Sequence, residues 1–492
     1  MMNLHWNIQK DTKADSGVSF WRKQTTDIYL SPMKKQNKMT YIVRGQDMTK
    51  DTDMTVGNPF VLIGTFSFSL VAGSLFQQLY TFVDTIIIGK KIGALGIAAV
   101  GGTEWLIFMV NGLVIGLVQG FSILLGNRFG EKNEEEFFFY YKMSKRICIV
   151  LAMVLTVMFC LISGEILRWL GTKDEVYAMA KEYVYTIFLG IPCLTFYQLF
   201  SGALRSRGNS RIPLLAMTIS SLCNIVFDIV FVNVLEFGIK GAALGTILSE
   251  FVVMLICGYS FYHEKKGIAY DHSCALNEKT VTIKLFRIGF PMAMQSFITS
   301  VGGLIVINRI NQYELSFLAG YTSAVKLYGL LEIAASSFSM AAAAYVSQNY
   351  GANKTDRIKQ GLRASLIMGV AVSLICSGIM VFGGRTILRL FIDNSVMMEQ
   401  ILGYGYQFLL ILAAFFPFLY ILYILRAVLQ GINNTMVPML SSFAQLMMRL
   451  LCATVLTKFI GCEAIFWGEI LAWLFADVIL FVAYKSTLKR IG

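Results

Sequence analysis

The stretches GIPCLTFYQLFSGALRSRGNSRIPLL, residues 190–215, and FFPFLYILYILRAVLQGINNTMVPML, residues 415–440, read as one motif written twice. Pro192 and Pro417 differ by 225, as do Pro213 and Pro438, so the 21-residue spacing between the prolines is kept. Two further pairs follow the same rule. LLGNRFGEKNEEE and YVSQNYGANKTDR align Gly130 with Gly351, and GIKGAALG and GCEAIFWG align Gly238 with Gly461 and Gly245 with Gly468. An offset that stays between 221 and 225 over this length marks a duplicated unit.

The repeated unit is a membrane bundle. Of the 492 residues 56% are hydrophobic and 15% charged, and the mean hydropathy is +0.63, outside the balance of a soluble protein. Apolar segments of the length that crosses a hydrocarbon core, about 20 residues, recur over 59–88, 96–126, 147–164, 180–203, 212–235, 237–262, 285–307, 315–346, 362–383, 399–425, 436–460 and 463–484. They are too long and too uniformly apolar for barrel strands, so the fold class expected is all-α, with twelve transmembrane helices. Six spans per repeat is an even number. Both units therefore enter the membrane in the same sense, and two pseudo-symmetric six-helix lobes are expected around a central cleft, residues 59–262 and 281–484. The polar stretch 263–280 links them, 485–492 forms a short tail, and 1–58 is expected as a disordered polar tail with no cleaved signal peptide. Met39 and Met48 are candidate alternative starts within that tail.

The net charge of +12 is explained by topology rather than by nucleic acid. Of 42 Lys and Arg, 30 fall in the tails and loops on the side of the N-terminus, 10 on the other side, and Lys326 and Arg449 lie within spans. This asymmetry predicts that both termini are cytoplasmic. The nine cysteines include no C-x-x-C pair, the three histidines lie outside the spans, and no phosphate-binding loop is present. Disulfide, zinc and ATP-driven chemistry are therefore not indicated, and the expected cofactor is none.

Four pieces carry a resemblance to a known family: LYTFVDTIIIG at 79–89, ALRSRGNSRIP at 203–213, NIVFDIVFVNVLEFGIKGAALGT at 224–246 and YVSQNYGANKTDRIKQG at 345–361. In this order they resemble the multidrug and toxic compound extrusion (MATE) family of secondary transporters, over about Pro59 to Tyr484. The resemblance implies export of substrates in exchange for Na⁺ or H⁺. It also implies a cation site at Asp84, Asn224, Asp228 and Thr246, with Tyr80 one turn before Asp84 in support. Two family features are missing: Thr299 stands where one subgroup has a glutamate eight residues after the proline of helix seven, and helix one has no internal proline.

The residues argue in the same direction without the resemblance. Asn224 and Asp228 are four apart and share a helix face, and hard cations prefer oxygen ligands. Two neighbouring carboxylates in a low dielectric do not both stay ionised unless a cation or proton intervenes. In the second repeat Asn224 corresponds to Arg449, Asp228 to Ala453 and Thr246 to Glu469. Arg449 and Glu469 are therefore expected to pair as an internal counter-ion, leaving the cation site to the first lobe. Glu104 and Glu332 are candidate cleft charges that would attract a cationic substrate.

The expected function is multidrug efflux by alternating access, with a small amphipathic or cationic organic molecule as substrate. The expected setting is the plasma membrane, as a monomer that uses neither ATP nor nucleic acid. The alternative is a flippase for lipid-linked oligosaccharide or lipid, which needs a basic cleft. The spans instead hold Asp84, Glu104, Asp228, Glu250, Glu332, Glu469 and Asp477 against Lys326 and Arg449. An embedded enzyme is disfavoured because no metal-ligand cluster or activated nucleophile is recognisable.

Overall fold

Asn58 opens the first helix: its side chain accepts the Phe60 N–H at 2.9 Å, and Pro59 follows at a position that needs no donor. The computed structural model describes residues 51–264, 276–390 and 397–491. Among these residues there is no strand. In the first half α1 (Pro59–Lys91), α2 (Ala94–Gly130) and α3 (Glu134–Trp169) precede a bent pair, α4 (Asp174–Leu189) and α5 (Ile191–Ser206). Next come α6 (Arg211–Asp228), continued by a π turn over Ile229–Val234, and α7 (Ile239–Glu264). The second half holds α8 (Glu278–Ile310), α9 (Leu315–Gly351), and α10 (Thr355–Gly378), which runs through a π turn into α11 (Gly384–Arg389). It ends with α12 (Met398–Gly431), α13 (Met436–Leu451) leading by a π turn into α14 (Thr457–Ile460), and α15 (Ala464–Ile491).

Among the described residues ten helices are long and apolar enough to cross a membrane, and the bent pair α4 and α5 makes an eleventh span. The run Met436–Thr487 counts among the ten by length, but it turns back at Gly461, where φ is +67°. Arg449 and Glu469, on either side of that turn, meet at 2.6 Å. An unbroken helix would hold them about 30 Å apart, so the run is two spans and the bundle has twelve. The bend of 42° at Gly190 was not expected from the segment 180–203. Pro192 removes a backbone donor there, yet its repeat partner Pro417 lies inside the unbroken α12. The difference is Gly190, which stands where the second half has Phe415, so the break needs glycine and proline together.

The duplication extends to the backbone. Left-handed φ occurs at Lys132 and Asn353, at Gly208 and Asn433, and at Gly238 and Gly461. Their separations of 221, 225 and 223 are those read from the sequence. The π turns after α6 and α13 begin at Ile229 and Cys452, again 223 apart.

Two large hydrophobic cores form among the described residues, and each borrows half a helix from the other repeat. Val281, Leu285 and Ile288 of α8 pack into the first core, while Ile63, Phe66 and Leu70 of α1 pack into the second. Where α2 and α9 end, the halves interlock: a Cβ on Gly130 would overlap the Gln348 carbonyl, and one on Gly351 the Asn127 carbonyl. Close backbone approach of this kind is what glycine permits between membrane helices. Toward the opposite end α1 loses its cover, with Leu75, Phe76 and Leu79 exposed.

Residues 51–57, expected within a disordered tail, form a strap across the interlocked end, whereas 1–50 lie outside the described residues. The Thr52 N–H donates to the Arg207 carbonyl at 3.1 Å, and the Met54 N–H to Gln348 Oε1 at 2.8 Å. Asn349 and Arg357 both donate to the Met54 carbonyl at 3.1 Å, and Lys354 donates to the Thr55 carbonyl at 2.9 Å. Arg207 also joins Asp51 and Glu134, each at 2.7 Å. The strap thus spends backbone groups that a free tail would give to water on side chains from both halves. Arg207→Ala is expected to destabilise the sealed form by about 1–3 kcal/mol, less than a fully buried pair because Asp51 and Glu134 keep some solvent. The thermal midpoint of the purified protein measures this, and an unchanged midpoint would mean that the backbone bonds alone hold the strap.

Candidate functional site

The Asp228 carboxylate is placed by two local features. It is the last residue of α6 before the π turn, and it lies against Gly245 of α7, where a Cβ would overlap its Oδ1. π turns often mark functional positions because they re-aim a side chain without ending the helix. Asn224, one turn earlier, is fully buried like Asp228. Asp84 on α1 is 8% exposed, and Thr246 on α7 is partly exposed with its hydroxyl donating to the Ala242 carbonyl at 3.2 Å. The Asp84 and Asp228 charges act on each other.

Both oxygens of Asp228, Oδ1 of Asp84, and both Oδ1 and Nδ2 of Asn224 are buried without a hydrogen-bond partner. Buried polar atoms are nearly always paired, so these four partnerless oxygens, two carboxylates among them and, among the described residues, no basic side chain in ion-pair contact, have the chemistry of a cation receptor. A monovalent cation would take these oxygens as ligands, and a proton would discharge one carboxylate and let it donate to the other groups.

Tyr80 lies one turn before Asp84 on α1, within electrostatic reach of it. Tyr183 of α4 was not singled out by sequence reasoning, yet Asp84, Tyr80, Asp228 and Glu104 all act on it. Its signal was hidden, because a tyrosine in an apolar helix is indistinguishable in sequence from a packing residue. Glu104 on α2 is exposed, at the edge of this group rather than within it.

The second half resolves its charges differently. Arg449 donates to Glu469 at 2.6 Å, with each side chain 14% exposed. Glu332 accepts the Tyr423 hydroxyl at 2.7 Å and lies within electrostatic reach of that pair. The crossing equivalent to Gly245 on Asp228 is Gly468 on Cys452. The 225 offset had pointed to Ala453. By this crossing Asp228 corresponds to Cys452, one residue earlier, and the result is the same absence of a carboxylate. Arg426, also not anticipated, donates to Gln445 Oε1 at 2.7 Å and Ser442 Oγ at 2.9 Å, while both oxygens of Asp477 are buried without a partner.

Gly245→Ala tests the placement of Asp228. The methyl group forces the carboxylate aside, and displacements near 1 Å are enough to lower activity by about tenfold or more. Cation binding to the purified full chain is expected to fall by that factor, and wild-type binding would show that the contact is not needed.

A family model described as MatE matches residues 70–230 and 291–455, one match in each repeat. "Probable multidrug resistance protein YpnP" of Bacillus subtilis is 24% identical over 438 residues, covering 89% of this chain and 97% of that protein. "Probable multidrug resistance protein NorM" of Thermotoga maritima is 26% identical over 432 residues, covering 85% and 88%. Among solved structures, the outward-facing conformation of a multidrug resistance MATE family transporter superposes with a TM-score of 0.84 at 20% identity, over 92% of this chain and 100% of that one.

Proposed function

We propose, from the premise that the chain belongs to the MatE family, that it exports small organic molecules in exchange for Na⁺ or H⁺ by alternating access. The relatives named as multidrug resistance proteins support drug-like substrates. The observation that carries the coupling is the set of partnerless buried atoms at Asp84, Asn224 and Asp228. Thr246 borders the set and Tyr80 supports it from α1.

The interlocked end carries Arg128, Lys132, Arg207, Arg211, Lys354 and Arg357. By the positive-inside rule it faces the cytoplasm, which makes the conformation closed inward and both termini cytoplasmic in the plasma membrane. In that state the coupling cation enters from outside, neutralises the carboxylate pair, and removes the repulsion that had kept Asp84 and Asp228 poised. The two lobes, 59–262 and 281–484, then rock about the interlocked glycines, and the strap and the Arg207 network must release before the cytoplasmic side opens. The Arg449–Glu469 pair stays charged throughout and takes no coupling ion. Glu104 and Glu332 supply negative potential to the cleft.

The test is reconstitution of the full chain in vesicles with Na⁺ and H⁺ gradients imposed separately, following efflux of a fluorescent organic cation and of an uncharged dye. Export driven by at least one gradient is expected. Export of neither dye under either gradient would overturn the antiport reading.

A further inference from the structure

The sequence counts Arg205 of ALRSRGNSRIP with the loop charges, yet it occupies the last turn of α5 and lines a cavity where the two halves meet. Gln119 and Ser122 of α2, Ser206 of α5 and Ser347 of α9 supply the rest of the polar lining, and the remaining residues are apolar. No carboxylate lines the cavity. Two glycines bring its walls together. A Cβ on Gly202 would overlap Ser122 Oγ and come within 4.0 Å of Arg205 Nη2, and one on Gly126 would overlap Ser347 Oγ and lie 3.8 Å from the Ser206 carbonyl. The cavity therefore sits on the cleft side of the interlocked end, with α5 on one wall and α9 on another.

Arg205 is left open there. Its Nη1 donates to Ser201 Oγ at 2.5 Å; among the described residues it has no other hydrogen bond and no ion pair, and its unused N–H groups stay accessible. Gln119 likewise makes no side-chain hydrogen bond among the described residues. The hydroxyls of Ser122, Ser206 and Ser347 donate to carbonyls of their own helices at 3.1, 2.7 and 3.0 Å, bonds that a hydroxyl exchanges by rotating. The second half shows what a satisfied arginine looks like. The 225 offset, kept at Pro192 and Gly208 on either side, matches Ser201 with Arg426 and Arg205 with Gln430. Arg426 is closed in by Ser441, Ser442 and Gln445, and Gln430 donates to Gln295 Oε1 at 3.1 Å.

A guanidinium does not discharge in a protein, so one embedded in a bundle needs neutral acceptors, a carboxylate or an anion from outside. Arg205 has one acceptor and no carboxylate. The cavity measures about 30 Å³ and is partly open; a water needs about 10–15 Å³, so a carboxylate fits and an aromatic ring does not. We propose that this cavity is an anion site that takes one carboxylate-sized oxyanion, held by Arg205 and Gln119 and completed by Ser122 and Ser347. Arg205 belongs to the first half and Ser347 to the second, so the bound anion bridges the halves and favours the sealed form. The anion is either free in solution or the acidic end of an organic molecule whose body lies in the cleft. The site goes beyond the antiport reading and does not use Asp84 or Asp228, so its failure leaves that reading in place.

The thermal midpoint of the full chain in a non-ionic detergent tests this, with sodium acetate, sodium 4-phenylbutyrate and uncharged 4-phenylbutyramide each titrated against sodium chloride at constant ionic strength. A ligand held only by the folded form raises the midpoint as it saturates. Both anions, or phenylbutyrate alone, are expected to do so, and the amide is not. Saturation by acetate assigns a free anion, and saturation by phenylbutyrate alone assigns the acidic end of an organic molecule. Arg205→Gln is expected to weaken the anion by about tenfold or more, the range of a lost charged hydrogen bond. Its midpoint in chloride should hold or rise, because no ion pair is broken. Ser347→Ala, which leaves Arg205 in place, should weaken the anion by about threefold, and it carries the test if Arg205→Gln does not fold. No saturable shift with either anion, an equal shift with the amide, or an anion affinity that Arg205→Gln leaves unchanged would overturn the proposal.

Discussion

Asp228→Asn is expected to abolish gradient-driven export while leaving downhill exchange of labelled substrate across the same vesicles. The wild-type site holds two carboxylates in mutual electrostatic contact, in a place where their oxygens find no other partner. Close like charges in a low dielectric make binding of a cation or proton favourable, because it relieves their repulsion. With asparagine at 228 one charge remains, the repulsion is gone, and the site no longer depends on a positive ion to settle. Driven export should fall by about a hundredfold or more, equivalent to about 3 kcal/mol of lost differential cation binding. Asp84→Asn should act in the same sense. Because asparagine resembles a protonated aspartate in shape and charge, folding should survive both changes. Driven export at the wild-type rate in either variant would remove the cation site from this half of the protein.

Much of the fold is legible in the sequence because the duplication leaves regular marks. The separations of 221, 223 and 225 between repeated motifs reappear as separations between left-handed residues and between π turns. What the sequence hid were features set by contact. Residues 51–57 are polar and resemble a tail, and only the approach of Arg207, Gln348 and Arg357 makes them a strap. The bend at Gly190 depends on glycine and proline acting together, and the equivalent proline in α12 shows that proline alone is silent.

The candidate site was legible for a different reason. Apolar spans make a carboxylate conspicuous, so Asp84, Asp228 and the replacement of polar Asn224 by Arg449 stand out from the background. Tyr183 was harder, because a tyrosine in an apolar helix is an ordinary packing residue until charged groups of other helices are brought to it. Spacing along one helix cannot report what a second helix brings.

Glu469→Gln is expected to separate structure from coupling in the second half. Arg449 and Glu469 are 2.6 Å apart with 14% of each side chain exposed, and Arg449 Nε is already without a partner. Removing the acid leaves a buried guanidinium uncompensated, a loss of about 3–5 kcal/mol when a pair is fully buried and somewhat less here. The thermal midpoint should drop by many degrees and the amount of folded protein with it. Replacing both residues together, Arg449→Met with Glu469→Gln, should recover most of that stability, because the penalty lies in the orphaned charge rather than in the absence of the pair. In the double variant gradient-driven export should persist, since the cation receptor proposed at Asp84 and Asp228 is untouched. If the double variant is stable and expressed yet exports nothing under either gradient, Arg449 and Glu469 belong to the coupling machinery, and the second half does more than hold its charges in place.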